Sequence, residues 1–200
     1  MSRYKGPKCR LCRREGEKLY LKGARCNSEK CSFNKRNYAP GQHGNARIKI
    51  SDYGKQLREK QKAKRVYGIL ERQFKTYVDK ALKTRGVTSE VLLKYLESRL
   101  DNLVFRSGLA MSRAQARQMI RSGFFEVNGL ATNIPSRQIK VGEIIKPINF
   151  EKVHLREGFV LPLWIDANVK EKYVKLTGLP KLTDNIENIN IQLIIEYYSR

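Results

Sequence analysis

The sequence predicts an α+β protein, and three observations lead to that prediction. Four cysteines form two close pairs within residues 9–31, where apolar residues are sparse. Apolar residues recur at helical spacing from residue 51 onward. An alternating apolar segment then meets an Asn-Gly turn at residues 128–129, which is typical of a small antiparallel sheet. We therefore expect a mostly helical amino-terminal domain with a four-Cys knuckle, followed by a small module of two helices packed on a sheet.

Positive charge is concentrated toward the amino terminus. The 200 residues carry a net charge of +22, and residues 1–65 hold 20 basic against 5 acidic side chains. Residues 66–149 hold 14 basic and 7 acidic side chains, and residues 150–200 hold 7 of each. Aromatic side chains interleave with the basic ones, whereas disordered tails are poor in aromatics. This pattern favours a chain that binds a polyanion, with nucleic acid as the first candidate and a solvated basic face as the alternative.

The sequence gives no sign of a membrane segment. No apolar run approaches the roughly 20 residues needed to cross a bilayer, and the first ten residues lack the apolar core of a signal peptide. We therefore expect no membrane partner and a cytoplasmic, reducing location. Cysteines in such a compartment favour a metal over disulfides.

The cysteine spacing is typical of a structural metal site. Cys9 and Cys12 form a Cys-x2-Cys pair, and after thirteen intervening residues Cys26 and Cys31 form a Cys-x4-Cys pair. Two such pairs suit tetrahedral Zn²⁺, and four thiolates leave no position for a reactive water. The sequence therefore predicts a zinc knuckle with one structural Zn²⁺. An iron–sulfur cluster, free thiols and disulfides stay open as alternatives.

Basic side chains surround these cysteines, and a bound metal would fix their positions for phosphate binding. They are Lys8, Arg10, Arg13, Arg14, Lys22, Arg25, Lys35 and Arg36. The next segment, residues 38–44, contains Pro-Gly and Gly turns that let a backbone approach a ligand closely. The residues expected to contact nucleic acid there are Tyr38, Gly41, Gln42, His43 and Gly44. His43 is interpreted as a stacking or hydrogen-bonding residue, because four cysteines already complete a metal site.

A helical pattern begins at Ser51 and combines an apolar stripe with basic residues. The stripe consists of Leu57, Val66, Ile69, Leu70, Phe74, Val78 and Leu82. The basic residues that fall mostly outside it are Arg58, Lys62, Arg65, Arg72 and Lys75. We therefore expect one face to pack in the core and the other to face phosphates.

Residues 88–146 predict the second part of the fold. Thr88 or Ser89 would cap a helix that Gly108 follows. The buried side of that helix is predicted to carry Leu92, Leu96, Leu100 and Leu103. Ser112 and Gln115 form a capping box that starts a short second helix. A hairpin at 124–129 and a strand at 139–145 would complete the sheet.

Three arginines define a possible binding surface on the second helix. Arg113, Arg117 and Arg121 recur every fourth residue and therefore share one stripe. No acidic residue lies at helical spacing from them, so the stripe is expected to attract an anion. Together with the free N–H groups at the helix start, it is predicted to bind phosphate. A solvated helix face is the alternative.

The sequence also resembles a known family. LESRLDNLVFRSGLAMSRAQARQMIRSGFFEVNG resembles the RNA-binding module named after small-subunit ribosomal protein four, which also occurs in some tRNA synthetases and pseudouridine synthases. The segments that resemble the bacterial-type small (30S) subunit ribosomal protein four family itself are MSRYKGPKC, RREG, YAPGQHG, SDYGKQLREKQKAKRVYGILERQF and IIEYYSR. The resemblance covers nearly all of the chain.

This resemblance implies a non-enzymatic constituent of the small ribosomal subunit. Family members bind the 5′ domain of 16S-type rRNA at a helix junction early in assembly and contribute to decoding accuracy. The resemblance also implies contact with small-subunit protein five, a ribosome-bound location, repression of the protein's own operon in some bacteria, and no small-molecule substrate. It further implies a helical domain of residues 1–87 joined by a tail of residues 190–200, with the RNA-binding module inserted at 88–189 around a core of 96–146.

The resemblance also assigns residues. Cys9, Cys12, Cys26 and Cys31 match a zinc-ligand set found in part of the family. Arg47 and Lys49 follow the Gly-Gln-His-Gly loop, where members are implicated in contacting incoming mRNA. The remaining residues expected to bind RNA are Arg3, Tyr4, Tyr53, Ser112, Gln115 and Asn128. Residues 150–182 match least well and are expected to make no RNA contacts.

Two other classes of protein stay open. An enzyme with this module as an accessory would need a second domain and a catalytic constellation, and His43 and His154 lie in unlike contexts. A zinc-dependent DNA-binding regulator would need a base-reading helix and usually a dimer seam, and the chain has no heptads.

Overall fold

The structure is a computed structural model, and it describes residues 4–46, 49–153, 155–156, 158–168, 173–182 and 188–199. The chain divides into two compact units. The first, here called the terminal unit, consists of Met1–Leu92 and Asn185–Arg200, and the second, the inserted unit, is Leu93–Asp184. The last helix therefore belongs to the same unit as the amino terminus.

The terminal unit is helical. Its elements are α1 (Lys8–Glu15), a 3-10 turn (Gly23–Cys26), α2 (Ser32–Lys35), α3 (Asp52–Val66), α4 (Glu71–Lys83), the start of α5 (Thr88–Glu97) and the carboxyl-terminal helix α8 (Ile191–Tyr198). Ser51 caps α3, because its Oγ accepts the N–H of Gly54.

The helical stripe predicted from Ser51 onward belongs to two helices. Gly68 has φ +64 between α3 and α4, which breaks the helical register there. Phe74 and Val78 are buried as predicted. Leu70 and Leu82 are exposed, so their assignment to a buried stripe was wrong. The predicted stripe runs through Gly68, where one helix ends before the next begins.

Helix α8 packs against α3, with Ile191 and Ile194 buried. Asn190 caps α8, since its Oδ1 accepts the N–H of Leu193. The Gln56 amide also donates to Glu196 at 3.0 Å. The tail is thus held by apolar contacts and by several hydrogen bonds.

A carboxylate on α4 joins this tail to α3. Glu71 accepts hydrogen bonds from Lys60, Lys64 and the Tyr198 hydroxyl at 2.7–2.8 Å. Burial raises the pKa of Glu71, but these three hydrogen bonds outweigh burial and lower it to about 2. The ionised carboxylate therefore stabilises the docked tail.

The inserted unit places two further helices against a five-stranded sheet. Its elements after α5 are α6 (Leu100–Arg106), α7 (Arg113–Arg121), β1 (Phe125–Val127), β2 (Leu130–Thr132), β3 (Ile144–Pro147), a 3-10 turn (Phe150–Lys152), β4 (Ile165–Asn168) and β5 (Tyr173–Leu176). The strand order is β2-β1-β3-β5-β4, and every neighbouring pair is antiparallel.

The predicted first helix of this module is two helices. Leu96, Leu100 and Leu103 are buried as predicted. The chain leaves the helix between them, because Arg99 forms a β-bridge with Gln138. The backbone of Leu100 also donates to the carbonyl of residue 137 at 2.9 Å.

The Asn-Gly hairpin is confirmed, and the rest of the sheet differs from the prediction. Asn128 and Gly129 have φ +52 and +79, which a two-residue turn of this kind requires. The strand predicted at 139–145 begins only at Ile144, because Gly142 (φ +93) lies in a turn. Strands β4 and β5 come from the segment that sequence patterns described least well.

The core of the inserted unit lies between the helices and the sheet. It combines Leu103 and Ile120 from the helices with Phe125 and Val174 from the strands, and Trp164 is also buried in it. None of the described helices is long and apolar enough to cross a membrane.

Candidate nucleic-acid interface

The four cysteines lie on short elements of the terminal unit. Cys9 and Cys12 are both on α1, Cys26 ends the 3-10 turn, and Cys31 precedes α2. The backbone N–H of Lys22 donates to Cys26 Sγ at 3.3 Å. Such N–H donors stabilise a thiolate, which is the form that binds a metal.

The thiols are electrostatic neighbours of one another. Burial raises the pKa of Cys12, a backbone hydrogen bond from Leu19 opposes this, and the thiols of Cys26, Cys9 and Cys31 raise it further. Burial likewise raises the pKa of Cys26. This donor set fits Zn²⁺ in its chemistry. Within the part of the chain that the structure describes, however, no group of three or more His, Cys, Asp or Glu side chains is arranged to hold a metal. The zinc site stays a prediction.

Arg13 holds the loop of residues 38–44 in place. Its Nε donates to the Tyr38 carbonyl at 3.0 Å, and its guanidinium lies 5.0 Å from the centroid of the Tyr38 ring. A side chain at Gly44 would collide with the Ala39 carbonyl, so only glycine allows this closure. The loop exposes Gln42 and His43. Arg13 is therefore half-buried and bonded to the loop rather than free on the surface.

The predicted basic face of α3 is largely engaged within the protein. Lys62 is buried and lies 2.8 Å from Glu17. Arg65 and Arg58 both pair with the buried carboxylate of Glu15. The basic side chains of α3 were predicted to face phosphate. Their partners Glu15 and Glu17 could not be recognised from the sequence, because they are distant from α3 along the chain.

Most other basic and aromatic residues predicted to bind RNA in this unit are exposed. They are Tyr4, Arg10, Arg14, Lys22, Arg25, Lys35, Arg36, Lys49, Tyr53 and Arg72. Lys8 is half-buried and donates to the Tyr4 carbonyl at 3.1 Å. Arg3 and Arg47 lie outside the described residues. Lys30, which sequence reasoning missed, lines a shallow concavity together with Arg25 and Lys35.

The Ser112 cap of the inserted unit is confirmed, and Gln115 reaches back as predicted but to the residue before the cap. Ser112 Oγ accepts the N–H of Gln115 at 3.3 Å, and Gln115 Oε1 accepts the N–H of Met111 at 2.9 Å. Asn128 is exposed, and its Oδ1 accepts the N–H of Ile144 at 2.9 Å. These side chains therefore shape the local backbone, and their contact with RNA stays a prediction.

The arginine stripe on α7 is only partly as expected. Arg117 lies 3.2 Å from Asp101, and Arg113 Nε donates to Asn102 at 2.8 Å. No acidic residue lies at helical spacing from the stripe, but the inference that all three arginines are unpaired was wrong, because Asp101 of α6 pairs with Arg117. Arg121 is exposed. The stripe thus contains two positioned arginines and one that faces solvent.

These contacts belong to a larger buried network. Arg99 donates two hydrogen bonds to Asp101, at 2.9 and 2.6 Å. Arg106 donates two to Glu97, at 3.1 and 2.8 Å. Asn102 also donates to Glu97 at 2.7 Å, so it links this carboxylate to Arg113. Glu97, Arg99, Asp101, Asn102 and Arg106 were not predicted as a network, although these polar residues lie between or just after leucines of the predicted helix.

The comparisons with known proteins agree with this arrangement. Residues 3–97 match the family described as the ribosomal protein S4/S9 N-terminal domain, and residues 98–145 match the S4 domain. The helical basic unit and the module of helices on a sheet therefore define a ribosomal protein with an RNA-binding S4 domain.

Curated relatives give the particular family. Small ribosomal subunit protein uS4 of Thermodesulfovibrio yellowstonii is 50% identical over 208 residues, that of Heliobacterium modesticaldum 51% and that of Acetivibrio thermocellus 50%. Each alignment covers 100% of both chains. The chain belongs to the uS4 family of small ribosomal subunit proteins. It is a structural, rRNA-binding protein and not an enzyme.

Proposed function

We propose that this chain is a primary assembly protein that binds the 5′ domain of 16S-type rRNA at a junction of several helices, ribosome-bound in the cytoplasm. The observation that carries the proposal is the set of exposed cationic side chains in the unit that matches the ribosomal family. The arginine guanidinium group can donate two parallel hydrogen bonds to one phosphate. Phosphate contacts supply a large share of the affinity of such proteins for nucleic acid.

The inserted unit supports the same function through positioned arginines. Asp101 and Asn102 hold Arg117 and Arg113 in defined orientations on α7. A guanidinium that is already oriented loses less conformational entropy when it binds phosphate. Arg121 adds an exposed cation on the same helix.

A competition experiment tests this proposal. The full chain is titrated with a 5′-domain transcript in the presence of an unrelated structured RNA or duplex DNA, at matched salt. We expect a clear preference for the 5′-domain transcript, and log affinity should fall with log salt by about 0.7–0.9 per phosphate neutralised. Equal affinity for the 5′-domain transcript and for both competitors would refute the proposal and would favour a nonspecific polycation.

We further propose that Cys9, Cys12, Cys26 and Cys31 hold one structural Zn²⁺. A zinc ion bound by four thiolates would supply folding free energy, on the order of 10–16 kcal/mol in zinc-finger peptides. The support is the spacing of the cysteines and the N–H donor on Cys26. Bound metal would replace a hydrophobic core in this segment.

The remaining roles that the resemblance implies are also proposals. Lys49 is exposed just after the 38–44 loop, which supports contact with incoming mRNA. Contact with small-subunit protein five, a contribution to decoding accuracy and repression of the protein's own operon rest on the resemblance. A photoreactive group attached at position 49 of assembled subunits should crosslink to mRNA downstream of the decoding site. Crosslinks to rRNA alone would refute the proposed contact with mRNA.

A further inference from the structure

An aromatic ring in the inserted unit lies beside two arginines that come from different segments. The guanidinium carbon of Arg113 lies 4.4 Å from the centroid of the Phe105 ring, and that of Arg156 lies 4.2 Å from it. Both distances are within the range of a cation–π contact. Arg113 begins α7, whereas Arg156 belongs to the stretch between β3 and β4, where sequence analysis expected no RNA contacts.

The backbone holds Arg156 at this place. Its N–H donates to the Gly108 carbonyl at 2.8 Å. Gly108 has φ +78, and a Cβ there would overlap the ring of Phe159, so the glycine allows close packing. Val153 is buried and Leu155 packs against the core. The position of the guanidinium is therefore determined by the fold.

The two groups that lie against the Phe105 ring carry the same charge. The guanidinium groups of Arg113 and Arg156 are 4.4 and 4.2 Å from one ring centroid, so they converge on the same place. Like charges that are partly removed from water repel strongly, and a bound polyanion relieves that repulsion.

We propose that Arg156 and Arg113 form a phosphate-binding pair for the rRNA, with Phe105 as the platform that orients both. This inference rests on the proposed rRNA-binding function and extends it, because it adds Arg156 to the RNA-binding surface. The ligand is the phosphodiester backbone. The pair gives affinity and orientation and no base specificity.

The test uses the full chain with the 5′-domain transcript and replaces Arg156 by Gln or by Met. Arg156→Met keeps an apolar side chain against Phe105, so it carries the test if Arg156→Gln disturbs folding. The matched control is Arg137→Gln, which removes one charge from the same unit where Arg137 pairs with Glu143 at 3.1 Å. Fluorescence of Trp164 reports that the unit is folded.

We expect Arg156→Gln and Arg156→Met to weaken binding roughly tenfold, the effect of one charge-assisted hydrogen bond. The slope of log affinity against log salt should also decrease by the amount expected for about one phosphate contact. Arg156→Lys should restore that slope. Arg137→Gln should change neither quantity. If the Arg156 variants match Arg137→Gln while the wild type still prefers the 5′-domain transcript, this inference alone fails. If the wild type shows no preference, the proposed function fails with it.

Discussion

The ion pair between Glu97 and Arg106 should be essential for the stability of the inserted unit. The side chains of Glu97 and Arg106 are buried, at 3% and 6% exposure, and two hydrogen bonds join them. Arg106→Met removes the cation but keeps most of its apolar volume. The substitution leaves the buried Glu97 carboxylate without its Arg106 partner.

The expected loss follows from this geometry. Removing one partner of a buried pair costs about 3–5 kcal/mol. Asn102 donates to Glu97 at 2.7 Å and is not replaced in the variant, so we expect the lower end, about 3 kcal/mol. For a unit of this size, such a loss lowers the melting temperature by at least about 12 °C.

The assay is urea unfolding followed by tryptophan fluorescence. Trp164 is the only tryptophan of the chain, and it is 5% exposed in the core of the inserted unit. It therefore reports on this unit. Arg137→Met is the matched control, because Arg137 and Glu143 are 33% and 18% exposed and their pair contributes at most about 1 kcal/mol.

A second substitution separates charge from packing. Glu97→Gln combined with Arg106→Met removes both charges and should recover part of the lost stability, because the isolated buried carboxylate is gone. The reasoning is refuted if Arg106→Met and Arg137→Met unfold at the same urea concentration. It is also refuted if the double variant is less stable than Arg106→Met.

Three further predictions concern the tail, the stripe and the metal. Because the folded pKa of Glu71 is about 2 and its unfolded value is about 4.3, the stability it contributes is present above pH ~4.3 and is lost as the pH falls toward 2. Glu71→Gln should therefore speed hydrogen exchange in α8 at pH 7, and a difference from wild type that persisted at pH 2 would contradict this cause. Arg121→Ala should weaken rRNA binding without changing the Trp164 transition, whereas Arg117→Ala should lower stability as well, since it removes a partner of Asp101. Chelation of bound zinc should lower both the helical circular dichroism signal and the affinity for rRNA. If the metal-free chain keeps both values unchanged, the proposed structural zinc is refuted.

Local patterns in the sequence predicted local structure well. The helix cap at Ser112 and the Asn128-Gly129 turn depend on residues close in sequence, and both are present. Breaks in helices were harder to predict. Gly68 separates α3 from α4, and the bridge of Arg99 with Gln138 interrupts a continuous leucine pattern.

The partners of basic residues could not be predicted from sequence. Arg117 pairs with Asp101 across two helices, and Lys62 pairs with Glu17 across 45 positions of sequence. Helical spacing reveals only partners on the same helix. Strands β4 and β5 are four residues each, which is too short for alternation to separate them from a loop.

The most direct test of rRNA binding is chemical probing of small-subunit rRNA with and without the purified full chain at physiological salt. We predict protection confined to one set of neighbouring helices in the 5′ domain, and weaker protection when Arg121 is replaced by Ala. Protection spread evenly over the transcript, or none at all, would contradict the central claim that this basic chain recognises a folded rRNA junction.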